Sequence, residues 1–180
     1  MPVVNNTQER IDSILDDTPA TFEVANNPSA DSHYGEWRAL HDIGAMQTLF
    51  YADIIDIEAA AQGVNPNLVK AIMYVENAHG GIYGYAAENI GIANSIYPMN
   101  INPEIWGDLI PSGDFSDPTI NIRAGVTLIK RIIDRLDNPS VEQIATLYVG
   151  TGFLEVHDYG ARVKMVMDNQ LWEDPLNYPV

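Results

Sequence analysis

Glu76 is the residue whose surroundings in the sequence first suggest chemistry. Ile72, Val69 and Leu68 precede it by four, seven and eight residues, so in a helix the carboxylate lies on the apolar face. Desolvation on an apolar wall raises the pKa of a carboxyl group and lets it deliver a proton near neutral pH. The spacing therefore predicts a general acid. The alternative is an ordinary carboxylate that reaches solvent at the end of the helix.

The helix that presents Glu76 is predicted from residues 65 to 81. Asn65 is a good N-cap, Pro66 suits the first helical position, and Gly80-Gly81 ends the helix. A second helix is predicted over residues 46 to 62, with Leu49, Ile54, Ile57 and Ala61 near helical spacing and Gly63 as its stop. Because the link between the two helices is short, we expect a helical hairpin with Glu76 at its far end.

A long segment without periodicity follows, from Gly81 to about residue 117. It contains glycines, prolines and the aromatic residues Tyr83, Tyr85, Tyr97 and Trp106. A non-repetitive stretch of this length inside a domain is usually functional. Aromatic rings among Asn and Gly suit a groove that stacks on sugars, and the alternative is that half of the rings belong to the core.

Three further helices are predicted after this segment, and one before the hairpin. Asp117-Pro118 opens a helix to about Leu136, Ser140 to Gln143 form a capping box, and a last helix runs over 153 to 171. Residues 1 to 17 form a short helix capped by Asn6 or Thr7. The predicted class is all-α, with at most a small irregular hairpin in the 81 to 100 region. We divide the chain into an N-terminal helix and arm, 1–45, and a catalytic domain, 46–180.

The composition excludes several functions. With 25 acidic and 9 basic residues the formal charge is −16, which argues against nucleic acid and anionic lipid as partners. It suits a cationic target or a basic partner protein, or only a solvated acidic surface. The four basic residues of the 117 to 136 helix, Arg123, Lys130, Arg131 and Arg135, are expected to be solvated.

The chain also lacks several common kinds of site. The absence of cysteine excludes a disulfide scaffold, a zinc-thiolate site and a cysteine nucleophile, and no histidine pair has ligand spacing, so we expect no metal and no cofactor. No apolar run approaches the roughly 18 residues of a membrane span, and the start of the chain lacks the pattern of a secretory signal. We therefore expect a chain without membrane insertion and without a leader.

The order of motifs resembles the lysozyme-like lytic transglycosylases, the group of soluble lytic transglycosylase and goose-type lysozyme. That family's Ala-Ile-x-x-x-Glu-Ser helix is similar to residues 71–77, with Asn77 in place of serine. Its Gly-Leu-Met-Gln-Ile segment looks like residues 97–101, Tyr-Pro-Met-Asn-Ile. Its Asp-Pro-x-x-Asn-Ile-x-x-Gly helix is matched most closely, by residues 117–125.

Two more motifs complete the resemblance, which covers roughly residues 49 to 168. The family's Tyr-Asn-Ala-Gly turn looks like residues 148–152, with Val149 in place of asparagine. Its Tyr-x-x-x-Val helix is similar to residues 159–163. Each motif alone is common, whereas five in the correct order and spacing are much more specific.

The resemblance implies a lysozyme-like fold and cleavage of the β-1,4 bond between N-acetylmuramic acid and N-acetylglucosamine in peptidoglycan. Glu76 would protonate the glycosidic oxygen, and the muramoyl C6 hydroxyl would then attack internally to give a 1,6-anhydro end. Hydrolysis would need a second carboxylate, for which Glu88 is the main candidate and Glu104 and Asp108 are weaker ones. The other role for Glu88 is to hold its loop. The expected substrate-binding residues are Asn77, Tyr97, Met99, Asn100 and Tyr148, the last of which could hydrogen-bond Glu76 or the substrate.

Two other functions stay open. One is a non-catalytic sugar-binding or structural module on the same scaffold, and the other is a glycosidase of a cationic amino-sugar polymer such as chitosan. An enzyme of this class would act on the cell wall, in the periplasm, outside the cell or after delivery by a virion. An immunity or inhibitor protein that blocks the groove is a further expected partner.

Overall fold

The computed structural model describes residues 1–27, 41–80 and 98–176. Over these ranges the chain is all-α, as predicted, and contains no strand, only the isolated bridges Val3 to Thr21 and Ala25 to Glu155. None of the helices in these ranges combines the length and apolar character needed to cross a bilayer. The predicted hairpin between 81 and 100 lies almost entirely outside the described residues.

The helices are α1 Thr7–Leu15, α2 His41–Phe50, α3 Ala52–Gln62, α4 Pro66–Gly80, α5 Pro103–Trp106, α6 Pro118–Ile133, α7 Val141–Val149 and α8 Asp158–Asn169, with a 3-10 turn at Gly107–Leu109 after α5.

The predicted starts of α1, α6 and α7 are confirmed by their side-chain caps, whereas the last helix, predicted from residue 153, begins only at Asp158 after its cap His157. Asn6 accepts from the amide of Gln8 at 2.8 Å, and Asp117 accepts from the amides of the first turn of α6. Ser140 and Gln143 form the reciprocal capping box at the start of α7. These caps depend on residues close together in the chain, so sequence patterns were sufficient to find them.

The predicted helix over 46 to 62 is wrong in one respect, because it is two helices. α2 ends at Phe50 and α3 starts after Tyr51, whose backbone (φ −100, ψ 8) is not helical. The predicted apolar stripe does not continue across this break: Ile57 is 67% exposed, whereas Ile55 is fully buried. α2 also begins at His41, so the predicted domain boundary at residue 45 falls inside a helix.

α4 is the central helix of the described structure. It packs against α2, α3, α6 and α8, and every residue from Ala71 to Ala78 is buried. Full burial of two turns leaves no solvent-facing side for polar groups. Glu76 is the one ionisable carboxyl group in this buried stretch, so its environment must be provided by neighbouring elements.

Arg123 and Arg131 of α6, and Arg135 just after it, are bound to other parts of the chain; Arg123 remains exposed, whereas for Arg131 and Arg135 the expectation of solvated side chains is wrong. Arg135 is 4% exposed and donates to the hydroxyl of Ser13 at 3.0 Å. Arg131 donates to the carbonyl of Leu15 at 2.8 Å. Arg123 forms a bidentate pair with the buried Glu58 of α3. A charge pattern in the sequence does not reveal such tertiary partners, which explains the error.

The N-terminal segment is held to the C-terminal half by Arg10, whose side chain is fully buried. Its guanidinium group lies over the ring of Phe22, with 5.1 Å from its central carbon to the ring centroid. The five hydrogen bonds that it donates to described residues all go to neutral oxygens. The acceptors are the carbonyls of Val4, Glu23, Thr151 and Phe153 and the side-chain oxygen of Asn5.

Gly160→Ala is expected to destabilise the protein by about 1–3 kcal/mol, the usual cost of overpacking. α7 and α8 approach so closely here that a Cβ would lie 2.3 Å from the carbonyl oxygen of Glu142. Chemical denaturation monitored by circular dichroism measures the change. Gly107→Ala is the matched control, because its Cβ would meet nothing within 4 Å and its φ of −56 suits alanine. Equal stability of the two variants would contradict this account of the interface.

Candidate active site

The carboxyl group of Glu76 is held between two helices and a turn. It is 7% exposed, near the end of α4. One carboxyl oxygen accepts from the hydroxyl of Tyr159 on α8 at 2.5 Å, and the other accepts from the side-chain amide of Asn100 at 2.7 Å. The surface-carboxylate alternative is therefore excluded by the burial of this group.

Burial is the main influence on the protonation of Glu76. It raises the pKa of this carboxyl group above its ordinary value, and the hydrogen bonds from Tyr159 and Asn100 lower it by less. Both donors are neutral, and over residues 1–27, 41–80 and 98–176 no cationic side chain is paired with this carboxyl group. The arrangement suits a carboxylic acid that gives up a proton and whose carboxylate then accepts two hydrogen bonds.

The turn that carries Asn100 is fixed by two buried amides. Asn77 donates to the carbonyl of Pro98 at 2.9 Å, and Asn121 accepts from the backbone amide of Met99 at 2.8 Å. Asn100 itself has a φ of 55, a left-handed conformation that asparagine tolerates better than most residues. The turn therefore holds the Asn100 amide toward α4.

Two residues predicted to bind substrate are instead part of this support. The side chain of Met99 is fully buried, and its atoms lie 2.9 Å from the position of a Cβ on Gly125 of α6. Asn77 is 5% exposed and also donates to the carbonyl of Met73 at 2.7 Å. In this arrangement neither side chain faces a ligand, because packing and backbone hydrogen bonds occupy both.

Tyr148 lies beside Glu76 but does not donate to it. Its hydroxyl donates to the carbonyl of Met99 at 2.7 Å, so the predicted hydrogen bond from Tyr148 to Glu76 is replaced by one from Tyr159. Burial, and secondly the charge of Glu76, raise the pKa of both phenols well above the ordinary value. Both hydroxyls therefore remain protonated donors throughout the physiological pH range.

A cavity of about 220 Å³ opens next to the Glu76 carboxyl group. The part of its lining that the structure describes combines neutral polar groups with apolar side chains from α5 and from the end of α7. Besides Glu76 these residues are Asn100, Asn102, Ile105, Trp106, Tyr148 and Val149. The carboxyl group of Glu76 thus lies beside a space in which a ligand could bind.

Several candidates do not join this cavity among the described residues. Glu88 and Tyr97 lie outside the described residues. Glu104 and Asp108 are exposed and absent from the described lining. Over 1–27, 41–80 and 98–176 there is no group of three or more His, Cys, Asp or Glu side chains that could hold a metal ion.

Tyr159 is the main site residue that sequence reasoning did not assign. The sequence placed it at the first position of the family's Tyr-x-x-x-Val motif, in the last helix, without giving it a role beside Glu76. An inward-facing tyrosine needs a partner for its hydroxyl, which was the available signal. Since 83 residues separate it from Glu76, only the packing of α8 on α4 identifies that partner.

Comparison with protein-family models, with curated proteins and with solved structures finds no match to this chain. The functional conclusion therefore depends on the chemistry of the site and on the motif order of the sequence.

Proposed function

We propose that this protein is a peptidoglycan-cleaving glycosidase with a lysozyme-like fold, and that it acts as a lytic transglycosylase. The observation that supports this most directly is the buried Glu76 carboxyl group, with its raised pKa, at the wall of an open cavity. A neutral carboxylic acid in such a position is the proton donor that glycoside cleavage requires.

In the first step Glu76 gives its proton to the glycosidic oxygen as the C1–O bond breaks. Positive charge develops on the sugar, in an oxocarbenium-like transition state. The new carboxylate is stabilised in place by the hydrogen bonds from Tyr159 and Asn100. Their fixed geometry means that little reorganisation is needed as the charge forms.

In the second step the C6 hydroxyl of the same muramoyl residue attacks C1. Glu76 takes the hydroxyl proton, which returns it to the neutral acid and closes a 1,6-anhydro ring. One carboxyl group thus serves as acid and then as base, and no water is consumed. If a second carboxylate such as Glu88 positions water, the same first step leads to hydrolysis instead.

The products of wall digestion test this proposal. Purified peptidoglycan is incubated with the protein, and the soluble fragments are analysed by mass spectrometry. We expect muropeptides with 1,6-anhydro ends, each lighter by one water than a hydrolysis product. Reducing ends alone would support a muramidase instead, and binding to the wall without release of fragments would overturn the proposal in favour of a non-catalytic module.

Tyr159→Phe is expected to raise the pKa of Glu76 further, because its hydroxyl hydrogen bond lowers that pKa. The alkaline limb of the pH–rate profile should move to higher pH. The maximal rate should fall about 10- to 150-fold, since a hydrogen bond to a charged group is worth about 1.5–3 kcal/mol.

Tyr148→Phe is the matched control, because the hydroxyl that it removes donates to the carbonyl of Met99. It should leave the alkaline limb closer to its original position. An unchanged profile in Tyr159→Phe, with the fold intact, would mean that the Tyr159 hydroxyl has no part in proton transfer.

A further inference from the structure

His157 is the residue from which α8 begins, two positions before Tyr159. Its backbone is extended (φ −97, ψ 158), and its Nδ1 accepts from the backbone amide of Tyr159 at 3.3 Å. The ring is therefore the N-cap of α8 and satisfies an amide that has no acceptor within the helix. The residue that it caps is the one whose hydroxyl donates to Glu76 at 2.5 Å.

The backbone of His157 is fixed on α7. Its amide donates to the hydroxyl oxygen of Thr146 at 3.0 Å, and Thr146 is fully buried. Three residues further along, Gly160 lets the two helices approach so closely that a Cβ there would lie 2.6 Å from the same hydroxyl oxygen. The first turn of α8 is thus held on α7 at two points, and Tyr159 lies between them.

The imidazole of His157 makes a second contact besides the cap. N-caps are most often Ser, Thr, Asp or Asn, so a histidine at this position calls for an explanation. Its ring stacks on the ring of Phe153, with 4.7 Å between the centroids and 26° between the planes. The cap and the stack use different parts of the ring, so that substitutions can separate them. The cap is the contact that leads to Tyr159.

We infer that His157 is a positioning residue of the Glu76 site: its ring nitrogen fixes the first turn of α8, and that turn holds the Tyr159 hydroxyl against the carboxyl group. This inference rests on the proposed function, in which Glu76 is the proton donor. His157 acts through Tyr159, because a small displacement of a donor that is 2.5 Å from its acceptor weakens the hydrogen bond.

Two substitutions separate the two contacts of the ring. His157→Asn keeps an acceptor for the Tyr159 amide and loses the stack, whereas His157→Phe keeps the stack and loses the acceptor. Both replacements are neutral, so any effect of losing the imidazole charge is the same in the two variants. The measurement is the pKa of Glu76 from a ¹³C NMR titration, in which the Glu76 carboxyl signal is the one absent from Glu76→Gln.

His157→Phe is expected to raise the pKa of Glu76, as Tyr159→Phe does, because the hydrogen bond from Tyr159 lowers that pKa. The rate of cleavage should fall about twofold to thirtyfold, which is the free energy of an N-cap expressed as a rate. His157→Asn should leave both the pKa and the rate close to those of the wild type. When Tyr159 is already phenylalanine, His157→Phe should produce no further rise in the pKa.

Asn65→Ala is the matched control, because Asn65 accepts from the amide of Asn67 at 2.9 Å in the same way, at the end of α4 remote from Glu76. It removes a cap but should leave the pKa of Glu76 unchanged. Circular dichroism reports whether each variant folds, and His157→Ala replaces His157→Phe if the larger ring prevents folding. A wild-type pKa in the folded uncapped variant, equal shifts in the Asn and Phe variants, or an additive shift in the double variant would overturn the inference.

The NMR titration does not require cleavage, so it distinguishes this inference from the function on which it rests. If the pKa of Glu76 responds to the cap as expected but peptidoglycan is never cut, the proposed activity fails and the positioning role stands. If peptidoglycan is cut while loss of the cap leaves that pKa unchanged, the activity stands and the positioning role fails.

Discussion

Glu76→Gln is expected to lower the rate of glycan cleavage by at least about 10²–10⁴-fold, the usual contribution of a general acid. Glutamine has nearly the shape of glutamic acid and can accept from Asn100, but it has no proton to give to the glycosidic oxygen. In the proposed mechanism Glu76 is also the base of the second step, so both steps lose the same group. The measurement is the initial rate of release of soluble muropeptides.

Glu104→Gln is the matched control for this experiment. Glu104 is exposed on α5, close in sequence to the cavity residues but absent from the described lining. The same chemical change there should leave the rate within about twofold. Full activity in Glu76→Gln, with the fold intact, would rule out Glu76 as the proton donor.

The same substitution should also stabilise the folded protein at neutral pH. The pKa of Glu76 is raised by burial above its ordinary value of 4.5, so the folded state binds more protons than the unfolded state between these two pKa values. The stability of the wild type therefore falls as the pH rises through this window. The stability of Glu76→Gln does not fall for this reason, because glutamine stays neutral. Urea denaturation at several pH values should show a stability advantage of Glu76→Gln that grows above pH 4.5 and is small below it.

Arg10→Ala is expected to destabilise the protein by about 3–5 kcal/mol, because it leaves several buried or partly buried neutral acceptors without their donor. The guanidinium group donates to five oxygens, several of them in buried or partly buried backbone. Its removal leaves those acceptors without their donor, at a cost of about 1–3 kcal/mol for each one that water cannot reach. The lost contact with Phe22 adds to this.

Chemical denaturation measures this effect, and limited proteolysis within residues 1–27 shows whether the N-terminal segment detaches first. Lys130→Ala is the matched control, because Lys130 forms an exposed pair with Asp134. Such pairs contribute about 0–1 kcal/mol. If the two variants unfold at the same denaturant concentration, Arg10 does not hold the N-terminal segment as described.

The sequence alone was sufficient where the physical cause is local. Helix caps and the left-handed stop at Gly63 depend on residues close together in the chain, and the apolar spacing before Glu76 predicts that its face of the helix is buried; the structure confirms all three. The break at Tyr51 was missed because nothing in the local pattern interrupts the helical spacing there. The two helices pack against different partners: α2 packs mainly on α4, whereas α3 packs on both α6 and α4.

Only the tertiary structure decided which groups surround the carboxyl group of Glu76. Tyr159 rather than Tyr148 donates to it, because α8 packs on α4 while the Tyr148 hydroxyl is used by the carbonyl of Met99. Met99 is buried and Val149 is exposed, and the local sequence does not distinguish these two environments. Residue type and spacing predict that a side chain is apolar, but its contacts depend on elements that are distant in the chain. Local sequence patterns thus identified the buried carboxyl group of Glu76 and the helix that presents it, whereas the packing of distant helices set its hydrogen-bond partners and the cavity beside it.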